Sequence, residues 1–167
     1  TGFAASIKQT GIFLKWNSNT DVDIGKYEIR EGTDWNTGVV VTQTKSTSYL
    51  FEIKTAATYN FWIKAIDTSG NYSTGTDMDT VVITAPETPI LNSSIEGENI
   101  ILSWNIPIAL YPIDDYELRY GASWAAGTYL ARIKATSFSR KVEYLNRTYW
   151  LGAYDIAGNE SIAASEI

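Results

Sequence analysis

Ala65-Ile66-Asp67-Thr68-Ser69-Gly70-Asn71-Tyr72-Ser73 decides how this chain is read. It returns near the end as Ala153-Tyr154-Asp155-Ile156-Ala157-Gly158-Asn159-Glu160-Ser161, with Asp, Gly, Asn and Ser in the same places. Each copy follows an aromatic run, Phe61-Trp62-Ile63 in the first and Tyr149-Trp150-Leu151 in the second. Aromatic and branched side chains suit a pleated, half-buried surface. Asp67 is placed to bond the backbone two residues on, Gly70 supplies a positive φ, and Asn71 tolerates the left-handed region. The stretch reads as a strand running into a tight turn, made twice.

Moving outward, the rest of the chain repeats with it. Ile12, Leu14 and Trp16 alternate, as do Ile100, Leu102 and Trp104 at an offset of 88. Tyr27-Glu28-Ile29-Arg30 returns as Tyr116-Glu117-Leu118-Arg119, and Trp35 and Gly38 return as Trp124 and Gly127, at an offset of 89. The same landmarks in the same order predict two homologous domains, residues 1–85 and 86–167. The boundary is Ala85-Pro86-Glu87-Thr88-Pro89, and no Pro precedes it. Proline cannot donate to a sheet ladder, so this segment reads as an extended connector into an edge strand.

Period-two alternation between turn residues predicts seven short strands in each copy. In the first they fall at 5–9 (strand A), 12–17 (B), 26–31 (C), 38–44 (C′), 47–53 (E), 58–67 (F) and 78–84 (G), and the second copy takes the same letters in the same order. In the second they fall at 90–94, 99–105, 115–120, 128–134, 137–143, 148–155 and 161–166. No stretch has a helical period. The fold class that follows is all-β, a pair of tandem β-sandwiches.

A sandwich this small needs a staple, and with no Cys in the chain it is not a disulfide. Trp16 and Trp104 take that place. Burying about 200 Å² of indole contributes roughly 5 kcal/mol at ~25 cal/mol/Å².

Composition bounds the function. The chain has no Cys and no His, which removes mechanisms built on a Cys nucleophile or a His base and most zinc and copper sites. Net charge is −6, with seven basic against nine acidic residues in 1–85 and six against ten in 86–167. Lys and Arg form no run, which argues against nucleic acid and against a polybasic membrane site. No apolar run is long enough to insert in a membrane. The chain begins at Thr1 without Met and reads as a piece of a longer protein, so targeting is not inferred.

The strand-B Trp, the Tyr on strand C, and Tyr59-Asn60-Phe61-Trp62-Ile63-Lys64-Ala65 resemble the fibronectin type III module, over nearly the whole chain and twice. In that likeness Tyr59 is the tyrosine-corner residue. Arg147 stands in the corresponding place of the second copy, with Tyr149 two residues on. Tyr27-Glu28-Ile29-Arg30-Glu31-Gly32-Thr33-Asp34-Trp35-Asn36-Thr37-Gly38 is similar to the region after strand C in modules of the host-specificity (tip attachment) protein family of long-tailed phages. Tyr116-Glu117-Leu118-Arg119-Tyr120-Gly121-Ala122-Ser123-Trp124 fits the same template.

That resemblance implies a non-catalytic structural and adhesion segment of a phage tail tip, located in the virion. It implies other tail-tip proteins and a host cell-surface receptor or glycan as partners, and a homo-oligomer in the full-length protein. The alternative is an accessory fibronectin-like pair of a secreted bacterial polysaccharide-active enzyme, since such enzymes carry similar modules as linkers or carbohydrate binders.

Trp35 and Trp124 are the candidate surface-contact residues. An exposed indole after strand C would stack on a sugar ring. The competing reading makes each a lid over the module edge, and its presence in both copies favours the lid. No catalytic, cofactor or metal site is expected. Asp67-Thr68-Ser69-Gly70-Asn71 has too few carboxylates for a calcium loop. Asp21 and Asp23 share a parity but precede strand C in a loop. Asp114, Asp115 and Glu117 read as a solvated strand entrance, because adjacent strand residues point to opposite faces.

Overall fold

The computed structural model describes residues 2–142 and 147–166. The chain divides into two compact units, Thr1–Ile83 and Thr84–Ile167. The described residues are all-β, with fourteen strands and no helix.

In the first unit the strands are β1 (Ala4–Lys8), β2 (Gly11–Lys15), β3 (Ile24–Glu31), β4 (Val39–Thr44), β5 (Ser48–Phe51), β6 (Ala57–Asp67) and β7 (Asp77–Ile83). They form a three-stranded sheet, β1-β2-β5, and a four-stranded sheet, β4-β3-β6-β7. Every pairing is antiparallel. This is the antiparallel two-sheet β-sandwich that the alternation predicts. Ile12, Leu14 and Trp16 from one sheet meet Tyr27, Ile29, Phe61 and Ile63 from the other, all buried. Trp16 packs edge-on against Tyr27 at 5.6 Å between centroids, and Phe51 against Phe61 at 5.2 Å. At the open edge, Asp79 on β7 accepts the Ala5 N–H of β1 at 2.8 Å.

The second unit repeats the plan with β8 (Leu91–Glu96), β9 (Asn99–Trp104), β10 (Ile113–Tyr120), β11 (Thr128–Ile133), β12 (Ser137–Lys141), β13 (Tyr149–Asp155) and β14 (Ala164–Glu166). Its sheets are β12-β9-β8 and β11-β10-β13-β14. Leu91, Ile100, Leu102 and Trp104 pack with Tyr116, Leu118, Tyr149, Leu151 and Ala153. Trp104 meets Tyr116 at 5.5 Å, as Trp16 meets Tyr27. Both Trp indole N–H groups are buried without an acceptor among the described residues, so these rings hold the core through apolar area alone.

Most strand ends lie within two residues of expectation, and the differences have local causes. β2 stops at Lys15, yet the Trp16 N–H still bonds Thr47 O at 3.0 Å. β14 begins at Ala164, three residues later than expected, because Ser161 is used by the turn. Its hydroxyl accepts the Ala153 N–H at 3.0 Å, and its own N–H bonds Ala153 O at 2.9 Å. The expected strand 137–143 ends at Lys141, and Glu143 lies outside the described residues.

The repeated turn forms as its residues dictate. Asp67 Oδ1 accepts the N–H of Ser69 and of Asn71, each at 2.8 Å, and Gly70 has φ +90°. Asp155 does the same for Ala157 and Asn159, with Gly158 at φ +80°. Tyr59 donates its hydroxyl to Thr55 O at 2.9 Å, the geometry of a tyrosine corner. In the second unit Tyr149 is a core residue, and the Arg147 guanidinium lies over the Tyr120 ring at 4.2 Å.

Candidate functional site

Strand parity builds the site. Tyr27 and Ile29 face the core, so Glu28 and Arg30 face outward from β3, side by side. Pairing sets Lys64 of β6 and Gln43 of β4 beside Glu28, and Trp62 beside Arg30. The β3–β4 ladder slips between Ile29 and Arg30, and the β10–β11 ladder slips between Leu118 and Arg119. Such bulges re-aim a side chain, and here both fall at the arginine.

The loop after β3 is tied closely. Gly32 has φ +153°, and a Cβ there would stand 2.7 Å from the Gly38 Cα, so the two ends of the loop approach only because both are glycine. The Trp62 indole N–H donates to Gly32 O at 2.8 Å. Asp34 accepts the N–H groups of Asn36 and Thr37 at 2.8 and 3.0 Å. Trp35 hangs from this loop, half-buried.

On the outer face these side chains close on one another. The Arg30 guanidinium lies 4.5 Å from the Trp35 ring centre and donates from Nη1 to Trp35 O at 3.0 Å. Lys64 Nζ lies 5.4 Å from the same ring, and Tyr72 meets it edge-on at 5.8 Å. Glu28, 1% exposed, is the hub. It accepts Arg30 Nε at 2.7 Å, the Tyr72 hydroxyl at 2.8 Å, and the Gln43 amide. Burial by itself would push the Glu28 carboxyl up. The hydrogen bonds from Arg30, Gln43 and Tyr72, with the Arg30 charge, outweigh it and hold the group below its ordinary value. The bond to Glu28 in turn pushes the Tyr72 phenol up.

The second unit keeps the centre and changes the surround. Arg119 bonds Glu117 at 2.6 Å and lies 4.5 Å from the Trp124 ring centre. Glu160, in the place of Tyr72, accepts the Trp124 indole N–H at 2.6 Å. Gly152 takes the place of Lys64, and Trp124 lies directly on it: a Cβ there would stand 3.0 Å from two ring carbons. Arg132, in the place of Gln43, bonds Asp115 at 2.8 Å and lies over the Tyr154 ring at 4.2 Å.

Trp35 and Trp124 therefore sit where the sequence places them, after β3 and β10. Each has its ring engaged by an arginine of its own unit. The expected solvated entrance is corrected in part. Asp114 bonds Lys134 just after β11 and Asp115 bonds Arg132 on β11, but Glu117 is buried, because it faces the arginine stack. Among the described residues no group of three or more Asp or Glu could hold a metal ion. Sequence reasoning missed Glu28, Arg30, Tyr72, Glu117, Arg119 and Glu160 as site residues. The signal was present in the Glu-x-Arg spacing, which puts both side chains on one face of a strand.

No family model matches the chain. It is 25% identical over 175 aligned positions to Chitinase A1 of Niallia circulans, which covers 98% of this chain and 24% of that protein. It is 39% identical over 72 positions to Chitinase Chi52 of Paenibacillus xylanexedens, 42% of this chain and 13% of that protein. The chain thus spans a quarter or less of these relatives' length. Among solved structures it is similar to a two-domain fibronectin type III segment of chicken tenascin, at 17% identity and a TM-score of 0.45, covering 98% of this chain and 95% of that one.

Proposed function

We propose that the chain is a non-catalytic accessory segment of a secreted bacterial polysaccharide-active enzyme, holding other parts of that protein at a fixed spacing. The observation that carries this reading is the match to Chitinase A1 over 98% of the chain, both units included. The outer-face stacks support it. Each closes its charges within its own unit and fixes the loop it packs, which suits a shape-holding module more than a reaction centre. Trp35 and Trp124 serve as lids, with their exposed edges the part of the stack open to a polysaccharide surface. The test is to delete the pair from its parent enzyme and assay insoluble chitin beside soluble chitooligosaccharides. Loss on the solid with the soluble rate intact is expected. Equal rates on both, or a parent built of tail-hub and fibre segments, would overturn the reading.

A second reading is the phage tail-tip segment in the virion. The Tyr27–Gly38 and Tyr116–Trp124 stretches favour it. Its partners would be other tail-tip proteins and a host receptor or glycan, within a homo-oligomer.

A further inference from the structure

At one end of the first unit a cleft of about 510 Å³ opens between the loop after β2 and the segment before β7. That volume lies inside the roughly 300–1,000 Å³ typical of small-molecule sites. Its floor includes Trp16, Tyr27 and Ile63, all buried core residues. One wall is Asn17, Ser18, Asn19 and Thr20, and the other includes Ser73 and Thr76.

Both walls are pinned to the strands. The Asn19 N–H donates to the Tyr27 hydroxyl at 2.8 Å. The Ser73 hydroxyl accepts the Ala65 N–H at 3.3 Å, and the Thr76 hydroxyl donates to Ile63 O at 3.1 Å. The cleft is preformed, so a ligand need not order it. The Asn17 amide and the Ser18 and Thr20 hydroxyls, by contrast, make no side-chain hydrogen bond among the described residues and face solvent. They are unspent donors and acceptors on one wall.

The charged lining residues are one of each sign and are engaged elsewhere. Asp77 accepts the N–H of Phe3 and of Met78, and Lys64 lies over Trp35. An apolar floor, a wall of amides and hydroxyls, and no unbalanced charge fit a neutral ligand rich in hydroxyl groups. The second unit does not repeat this wall. Asn105 is followed by Ile106, Pro107 and Ile108, with the two isoleucines 68% and 73% exposed.

We infer that the first unit carries a binding cleft for a short neutral oligosaccharide, floored by the edges of Trp16 and Tyr27 and hydrogen-bonded by Asn17, Ser18 and Thr20. The choice of a saccharide among neutral, hydroxyl-bearing ligands rests on the accessory-module reading.

The experiment titrates the ¹⁵N-labelled full chain with chitotetraose, cellotetraose and xylotetraose in turn, following amide shifts. Saturable shifts centred on residues 16–20 and 73–77 are expected with at least one of them. The Ser18→Ala, Thr20→Ala double variant, altered only at exposed side chains, should bind roughly tenfold more weakly. The Ile106→Ala, Ile108→Ala pair in the second unit should bind as the parent does. No saturable shift with any of the three at millimolar concentration, shifts centred elsewhere, or undiminished binding by the Ser18, Thr20 variant would each overturn the cleft. A chain that binds none of them, yet whose deletion still slows its parent on solid chitin, loses the cleft and keeps the accessory role.

Discussion

The Arg30 guanidinium lies 4.5 Å above the Trp35 ring while its Nε holds the buried Glu28 carboxylate at 2.7 Å. One side chain thus joins the Trp35 indole to the charge beneath it. Removing one partner of a buried ion pair leaves the other charged and desolvated, which costs more than the pair contributes. Arg30→Met should therefore destabilise the first unit by about 2–4 kcal/mol, less than a fully enclosed pair would because Tyr72 and Gln43 still donate to Glu28. Adding Glu28→Gln should restore part of the loss. Urea unfolding of the two single variants and the double variant measures this, and purely additive losses would show that the two residues do not act together.

Trp16 is 6% exposed and touches both Phe3 and Tyr27. Trp16→Ala removes the largest ring at the centre of a small core and leaves a cavity that the sheets can only partly close. The expected cost is about 3–5 kcal/mol, read as an early transition in calorimetry. A midpoint near that of the parent would mean that the first unit does not depend on this indole.

The core and the turns were legible in the sequence because each depends on neighbours in the chain. Alternation placed Ile12, Leu14 and Trp16 inward, and Asp67, Gly70 and Asn71 named their own turn. The arginine stacks were not legible, because Glu28 becomes buried through Gln43 and Tyr72, fifteen and forty-four residues away. Only the strand register brings those residues together, and alternation does not specify register. Glu117 was read as solvated for the same reason. The cleft was hidden differently: Trp16 reads as core, and it is core, while the walls of the cleft are loops that alternation does not place.

Tyr154 gives the second unit an alkaline weakness. Burial first, then the Glu160 carboxylate beside it, push the phenol up to about 12 from an ordinary 10.0. A folded-state value above the unfolded one contributes stability that is complete below the unfolded value and is lost as pH rises through the folded one. Between about pH 10 and 12 the unfolded chain releases a proton that the folded chain keeps, a loss of at most ~3 kcal/mol. Tyr154→Phe should flatten the fall in unfolding free energy over that window. Identical pH profiles for variant and parent would remove Tyr154 as its source.

The last prediction uses the difference between the two stacks. Lys64 rises beside Trp35 in the first unit, whereas at the matching Gly152 the Trp124 ring lies on the backbone, with 3.0 Å left to a built Cβ. Gly152 has no positive φ among its features, so alanine there meets the ring and not a forbidden backbone. The Trp124 ring is held by Arg119 above and by its N–H bond to Glu160, so it cannot lift without breaking one of them. Gly152→Ala should cost about 1–3 kcal/mol. It should also shift tryptophan emission as the indole N–H leaves Glu160. In a Trp124→Ala background the same substitution should be nearly neutral, because the clash has gone. A cost that persists in that background would place the penalty in the β13 backbone instead of under the ring.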